Sequence, residues 1–462
     1  MGVSIIEGGF PSSSREEFET VRTIAGLGLD ATICGLSRSL KNDVDACIDA
    51  GVGMVHVFIP TSEVQRENTI KKTHEEVLDI TAEIIGYARS HIDQVLFSAM
   101  DATRTKPIEL VEVFRTAVDA GATAINVPDT VGVATPSSMR ALIEMLRQEI
   151  NCTIDVHCHN DFGMAVANTV TAVEAGANQV QVTVNGIGER AGNADIAGTV
   201  MAIESILKMN TGIKTQKLVE TSKMVSRFSG ISVPPTQQVV GENAFSHESG
   251  IHSHGVIANS STFEPGIMTP EMVGHRRRLK LGKHVGKHAV REMLTLVHIE
   301  PNDRQLDEII KKIKQISAKG KKVMENDLYE IAASITGTEF TAEVILLKDI
   351  GIMTGNHIIP TATVRAIVNG EEKVCSRTGD GPVDAALRAI MGIAPTDVNL
   401  KDFSISAISG GTDAIGHVTI TVEDEKGRLY DAGASGEDII IASAEAMTNS
   451  INMVYRYGSN NS

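Results

Sequence analysis

The chain has 462 residues, 42% of them apolar and 3% aromatic, with no Trp and 41 glycines. That length allows two or three domains with a large core, and the balance suits an α/β protein better than an all-β sandwich. A net charge of −16 argues against a nucleic-acid partner, and no apolar run reaches membrane-spanning length. Five scattered cysteines (34, 47, 152, 158 and 375) include no C-x-x-C pair and read as reduced thiols of a cytoplasmic protein.

From residue 1 to about 205, short apolar runs alternate with amphipathic helical stretches. The runs are Val3-Phe10, Ala31-Leu36, Met54-Ile59, Gln94-Met100, Ala124-Val127, Thr153-His159 and Gln179-Val184. Helical patterns such as Ser12-Ala25, Thr73-Ser90 and Pro107-Ala120 lie between them, the last closing at Gly121. Strict alternation predicts parallel strands with right-handed crossovers. Chemically active residues gather at the strand ends: Glu7, Ser37, Asp101, Asp129-Thr130, His157, His159 and Asn185. That is the layout of a (β/α)8 TIM-barrel mouth. A doubly wound sheet is the alternative, but no Gly-rich phosphate loop follows the first strand. Seven strands can be counted where a barrel needs eight. Met1-Gly2-Val3 leads directly into a strand, so the first βα unit is expected to be missing through a late start or truncation.

The run ending in Val156-His157-Cys158-His159-Asn160-Asp161 places two imidazoles on one strand face, with Cys158 on the other. Such a pair can share a divalent metal, or it can be two satisfied polar side chains at a strand end. The spacing alone leaves both open.

Residues 206–345 read as helical linker subdomains, with a polar segment (Gly241-Gly255) and a basic one (His275-His288). The basic run reads first as a solvated loop or helix surface, and otherwise suits contact with an anionic substrate or CoA phosphates. Residues 346–462 read as a C-terminal α+β domain with an internal repeat. The first copy is Thr361-Val368, an Asn369-Gly370 turn, Lys373-Arg377 and the helix Ala385-Met391. The second is His417-Val422, a Lys426-Gly427 turn, Leu429-Ala432 and the helix Ile439-Met453. The glycine-and-acid turns before each helix either hold a small carboxylate or simply cap the helix.

Four motifs then converge in order and spacing: Asn126-Val-Pro-Asp-Thr-Val-Gly132, His157-Cys-His-Asn-Asp161, Asn185-Gly-Ile-Gly-Glu-Arg-Ala-Gly-Asn193 and His247-Glu-Ser-Gly-Ile-His252. The chain resembles the 2-isopropylmalate, citramalate and homocitrate synthases, with the first of these the nearest pattern. The resemblance implies a metal-dependent Claisen condensation of acetyl-CoA with a 2-oxo acid, and a C-terminal domain that senses leucine or isoleucine in a homodimer. Carried over by position, His157 and His159 would bind a divalent metal (Zn, Mn or Mg) with Asn193 beside it. Thr130 would bind the substrate carboxylate, and His56, Ser98 and Asn126 would line the alkyl pocket. Glu189 would order the acetyl-CoA side, and His252 would serve in acid–base catalysis. Small Ser98 favours 2-oxoisovalerate over pyruvate.

The pattern is broken in three places. The family's Arg-Asp strand end, which supplies a third metal ligand, is not in this sequence. Met100 stands where a carboxylate is expected, on the same face as Ser98, whereas Asp101 falls on the other. A thioether neither takes a proton at neutral pH nor competes for a hard cation. Asn193-Ala-Asp-Ile-Ala-Gly198 also lacks the acidic pair common after this motif. A catalytically impaired regulatory paralogue is therefore an alternative to an active synthase.

Overall fold

The seven apolar runs form seven strands: β1 (Ile5–Gly9), β2 (Thr32–Arg38), β3 (Met54–Pro60), β4 (Val95–Met100), β5 (Ala124–Asp129), β6 (Thr153–Cys158) and β7 (Gln179–Gln181). They lie in sequence order in one sheet, every neighbour parallel. Among the described residues β7 does not pair with β1, so the barrel-type sheet is open. The structure is a computed structural model and describes residues 1–247, 266–276, 278–279, 281, 285–295, 299–318, 323–337, 344–407 and 415–458. Among these, no helix is long and apolar enough to cross a membrane.

Helices return the chain between strands, and their starts are encoded locally. Ser14 caps α1 (Arg15–Ala25), its Oγ accepting from Glu17 N at 3.1 Å. Thr73 and Glu76 make a reciprocal capping box at α2 (His74–His91). Pro107 opens α3 (Pro107–Asp119), where its missing N–H has no intrahelical acceptor to lose. Just past that helix, Gly121 takes φ +110°, and a Cβ there would lie 2.8 Å from Arg89 Cγ. Any side chain at that stop would be strained.

Period-two alternation sorts the strand residues. Val55, Val57, Phe97, Ala99, Ile125, Val127, Ile154, Val156 and Cys158 face the helices in one buried core. Phe97 meets Phe114 of α3 edge-to-face at 6.2 Å. Burial pushes the Cys158 thiol up to about 12, so it is an inert core residue. The opposite face begins with a small apolar layer of Cys34, Met54, Leu96 and Ala124. Beyond it the inward positions are polar: His56, Ser98, Asn126 and Asp155, all buried.

The chain divides into two compact units, residues 1–245 with 265–277 and residues 246–264 with 278–462. In the second unit, α4 (Lys287–Thr295), α5 (Asp303–Ala318) and α6 (Glu325–Thr336) share a core that includes Leu294, Leu306, Ile309 and Leu328. Two three-stranded antiparallel sheets follow. The first is β8 (Ile345–Gly355), β9 (Ile358–Val368) and β10 (Glu371–Thr378), with α7 (Pro382–Met391). The second is β11 (Asn399–Ala407), β12 (Gly416–Glu423) and β13 (Leu429–Gly436), with α8 (Ile439–Gly458). Asn369 and Gly370 both take positive φ, the backbone a two-residue hairpin needs. Asp438 accepts from the N–H groups of Ile440 and Ile441, so the second glycine-and-acid turn is a helix cap.

Each repeat therefore has three strands, where the sequence reading found two. The leading strands β8 and β11 carry register shifts, between Leu347 and Asp349 and between Leu400 and Asp402. A bulge breaks the two-residue period, and with it the pattern by which a strand is recognised.

Candidate active site

At the C-terminal end of β6 the imidazoles of His157 and His159 converge. Their Nε2 atoms lie 3.1 Å apart, and Asn193 Nδ2 lies 3.0 Å from His157 Nε2. Burial holds the His157 ring well below its ordinary value, at about 4, with His159 adding to the effect. Burial, then the Arg190 guanidinium, also lowers His159. Both rings are thus neutral near pH 7, the state in which imidazole binds a metal. His159 Nδ1 is buried without a partner.

Two neutral rings whose Nε2 atoms point at one another suit a shared cation. Two nitrogens each about 2.1 Å from one divalent ion fall close to the observed separation. The residues present fit a divalent metal on that chemistry. Among the described residues no third His, Cys, Asp or Glu joins them, so the third neighbour is the Asn193 amide.

A tight turn delivers that amide. Gly186 and Gly192 take φ +67° and +88°, and a Cβ on Gly192 would sit 2.0 Å from Gly186 O. On Gly188 it would sit 1.8 Å from Asn193 Oδ1. Asn193 N donates to Gly186 O, and Asn160 N donates to Gly192 O. These bonds draw the turn against the end of β6, where His159 and Asn193 form an antiparallel bridge. Asp195 then caps the following helix by accepting from Gly198 N at 2.8 Å. A cleft of about 700 Å³ opens beside Asn193, lined also by Asn160, Asn185, Gln237 and Gln238.

Behind the histidines a hydrogen-bonded chain crosses the inward face. Glu7 meets His56 Nδ1 at 2.9 Å, and His56 Nε2 meets Ser98 Oγ at 2.6 Å. Ser98 donates to Asn126 Oδ1 at 2.8 Å. Asn126 Nδ2 and Gln181 Nε2 both donate to Asp155 Oδ2, at 2.8 and 2.6 Å. Gln181 Oε1 lies 2.8 Å from His157 Nδ1. Burial pushes Asp155 up to about 6 against the opposing bond from Asn126. The expected pocket residues His56, Ser98 and Asn126 thus form one layer, continuous with the metal-ligand candidates.

The rim holds the remaining residues. Thr130 Oγ1 accepts from Asp101 N at 2.9 Å, which leaves its own O–H to donate. Arg190 grips both oxygens of Asp161 at 2.8 Å and donates to Thr130 O at 2.9 Å. Glu189 is exposed on the same turn, its carbonyl accepting from Gly192 N. Met100 is absent from the helix-facing core that holds Phe97 and Ala99. Asp101 adopts a left-handed φ of +67° and is buried, its carboxylate taken by Ser62 Oγ and the Arg104 guanidinium. It does not replace the carboxylate expected at position 100. His252 lies outside the described residues, as do Arg277, Lys280 and residues 282–284 of the basic segment.

Asp155 and Gln181 were not among the site residues expected from sequence. The signal was present for Asp155, a carboxylate inside an apolar strand on the face of His157. For Gln181 it was weaker, because only the register that pairs Gln181 with His157 reveals the contact.

A parallel barrel-type sheet with two imidazoles at one strand end, followed by helices and a two-sheet unit, defines the class as an α/β barrel-type protein with an appended α+β unit. Family models match the chain in three segments: HMGL-like over residues 1–225, a homocitrate synthase post-HMGL domain-like region over 239–321, and a LeuA allosteric (dimerisation) domain over 322–455. A probable 2-isopropylmalate synthase of Methanosarcina mazei is 55% identical over 99% of this chain and 89% of its own length. The 2-isopropylmalate synthase of Methanocaldococcus jannaschii is 49% identical over 98% and 88%. The (R)-citramalate synthase of that organism is 41% identical over 98% and 92%. The chain belongs to the 2-isopropylmalate synthase family.

Proposed function

We propose that the chain condenses acetyl-CoA with 2-oxoisovalerate to give 2-isopropylmalate and CoA, a step in leucine biosynthesis. The observation that carries this reading is the convergence of His157, His159 and Asn193 directly above the layer of His56, Ser98 and Asn126. A divalent ion bound there supplies Lewis-acid polarisation of a 2-oxo acid carbonyl. The chain's own residues do the rest. Neutral imidazoles offer lone pairs, and the Thr130 O–H donates to the substrate carboxylate. Small Ser98 leaves room for an isopropyl group. Glu189 stands on the acetyl-CoA side, and His252 is the candidate to take a proton from the acetyl methyl. The new C–C bond forms at the keto carbon, and water then cleaves the thioester to release CoA. In this reading the C-terminal unit binds leucine as effector and joins two copies of the chain.

Release of CoA thiol from acetyl-CoA, with 2-oxoisovalerate and with pyruvate in parallel and divalent metal present, tests the proposal. Higher kcat/KM on 2-oxoisovalerate is expected. Preference for pyruvate would assign the chain to citramalate formation.

One observation favours a second reading, a regulatory paralogue without turnover. Met100 brings no ionisable group to the mouth, and Asp101 is committed to Ser62 and Arg104. If CoA release appears only in Met100→Glu, the second reading replaces the first.

A further inference from the structure

We propose that Gln181 and Asp155 are positioning residues that hold His157 as its Nδ1–H tautomer, leaving Nε2 as the lone pair that faces His159. The proposal deepens the metal reading above and rests on it for its consequence.

Asp155 is fully buried, and its Oδ2 meets two amide nitrogens, Gln181 Nε2 at 2.6 Å and Asn126 Nδ2 at 2.8 Å. A carboxylate only accepts, so both amides must turn their NH₂ groups toward it. Gln181 is thereby left with its carbonyl oxygen facing His157 Nδ1 at 2.8 Å. A carbonyl also only accepts, so Nδ1 carries the ring proton. A neutral imidazole has one N–H, and Nε2 is then the free lone pair, aimed at His159 Nε2 and at the Asn193 NH₂.

Without Asp155 the Gln181 NH₂ loses the carboxylate that holds it away from the ring. A flipped amide would donate to Nδ1, move the proton to Nε2 and remove the lone pair from the site. The sheet builds this selection directly. Asp155 and His157 are two residues apart on β6 and so share a face, while the parallel register sets Gln181 of β7 beside His157. The same carboxylate orients Asn126, whose carbonyl then accepts from Ser98. One buried acid sets the proton arrangement of both the metal side and the pocket side. Partners of this kind commonly change metal affinity ten- to a hundredfold when removed.

The test uses the full-length chain with selectively ¹⁵N-labelled histidine and Co²⁺ as the metal probe. In the metal-free protein near pH 7, long-range ¹H–¹⁵N spectra are expected to show His157 as the Nδ1–H tautomer. Gln181→Met keeps the size and removes the acceptor. It should shift His157 toward Nε2–H and weaken Co²⁺ binding by about ten- to a hundredfold. Gln181→Glu combined with Asp155→Asn restores an acceptor to Nδ1 and an amide donor behind it, and should recover both tautomer and affinity. A general loss of packing would move neither the tautomer nor its rescue in this way.

Nε2–H in the wild type overturns the proposal, as does a Met variant with unchanged tautomer and affinity. A double variant that stays Nε2–H overturns it too. Wild type and His157→Ala binding Co²⁺ equally, or neither binding it, would instead sink the metal reading. The tautomer measurement would still decide the positioning role.

Discussion

On β3, Val55 and Val57 turn toward the helices while His56 between them turns inward, and the same division runs through Phe97 and Ser98, Ile125 and Asn126, and Val156 and His157. The outward side chains find their partners by shape alone, and any buried hydrocarbon of the right size serves. The inward ones need a particular donor or acceptor from a neighbouring strand. One backbone thus carries two kinds of order, a tolerant face that supplies stability and an exacting face that supplies chemistry. Two buried carboxylates make the same contrast. Asp43 faces the Arg38 guanidinium at 2.7 and 3.0 Å. Burial raises it, but hydrogen bonds from Arg38 and Ser12 more than offset this and hold it below its ordinary value. Asp155 has no guanidinium partner; burial prevails over the Asn126 bond, nearby His56 and the Gln181 bond, at about 6.

The contrast can be broken by swapping the cost of the two faces. The largest stability loss is expected outside: Phe97→Ala empties a fully buried edge-to-face contact with Phe114 and should cost about 3–5 kcal/mol in denaturant unfolding. Co²⁺ affinity of the folded fraction should stay unchanged. Gly188→Ala should cost less, about 1–3 kcal/mol, because the Asn193 side chain can swing away from the new methyl. That swing takes the amide from His157, so Co²⁺ titration should show weakened binding. A Gly188→Ala protein with wild-type affinity would separate the turn from the site.

Ser98→Ala removes the hydroxyl between His56 and Asn126 and leaves Asn126 Oδ1 short of a donor, at about 1–3 kcal/mol. Its sharper effect should be on substrate choice, seen as a changed ratio of kcat/KM for the two 2-oxo acids. The smallest effect is expected at the rim. Asp43→Asn should cost under about 1 kcal/mol near pH 7, since Arg38 is half exposed. A carboxylate with a depressed folded pKa stabilises above its unfolded value, near 3.9, and loses that contribution as pH falls through the folded value. The gap between Asp43→Asn and wild type should therefore close in acid unfolding curves below about pH 4. A gap that persists there would mean the pairing contributes nothing.

Much of this was legible in the residues. The seven apolar runs became the seven strands, because each was short and, but for the last, followed by an amphipathic helical stretch that returns the chain. The outward place of Cys158 follows from period two. The glycines of Asn185-Asn193 are accounted for by where a Cβ would fall. What stayed hidden depended on register or backbone irregularity. Gln181 lies 24 residues from His157, and nothing local pairs them. Asp101 falls on the outward alternation, but its left-handed backbone sends the carboxylate to Arg104. The bulges in β8 and β11 erased the alternation that would have marked them as strands.

Crystals soaked with Zn²⁺ and measured at its absorption edge test the central claim most directly. The account predicts an anomalous peak bonded to Nε2 of both His157 and His159, beside the Asn193 amide. A peak at other residues, or the two imidazoles in direct contact with no ion between them at saturating metal, would contradict it.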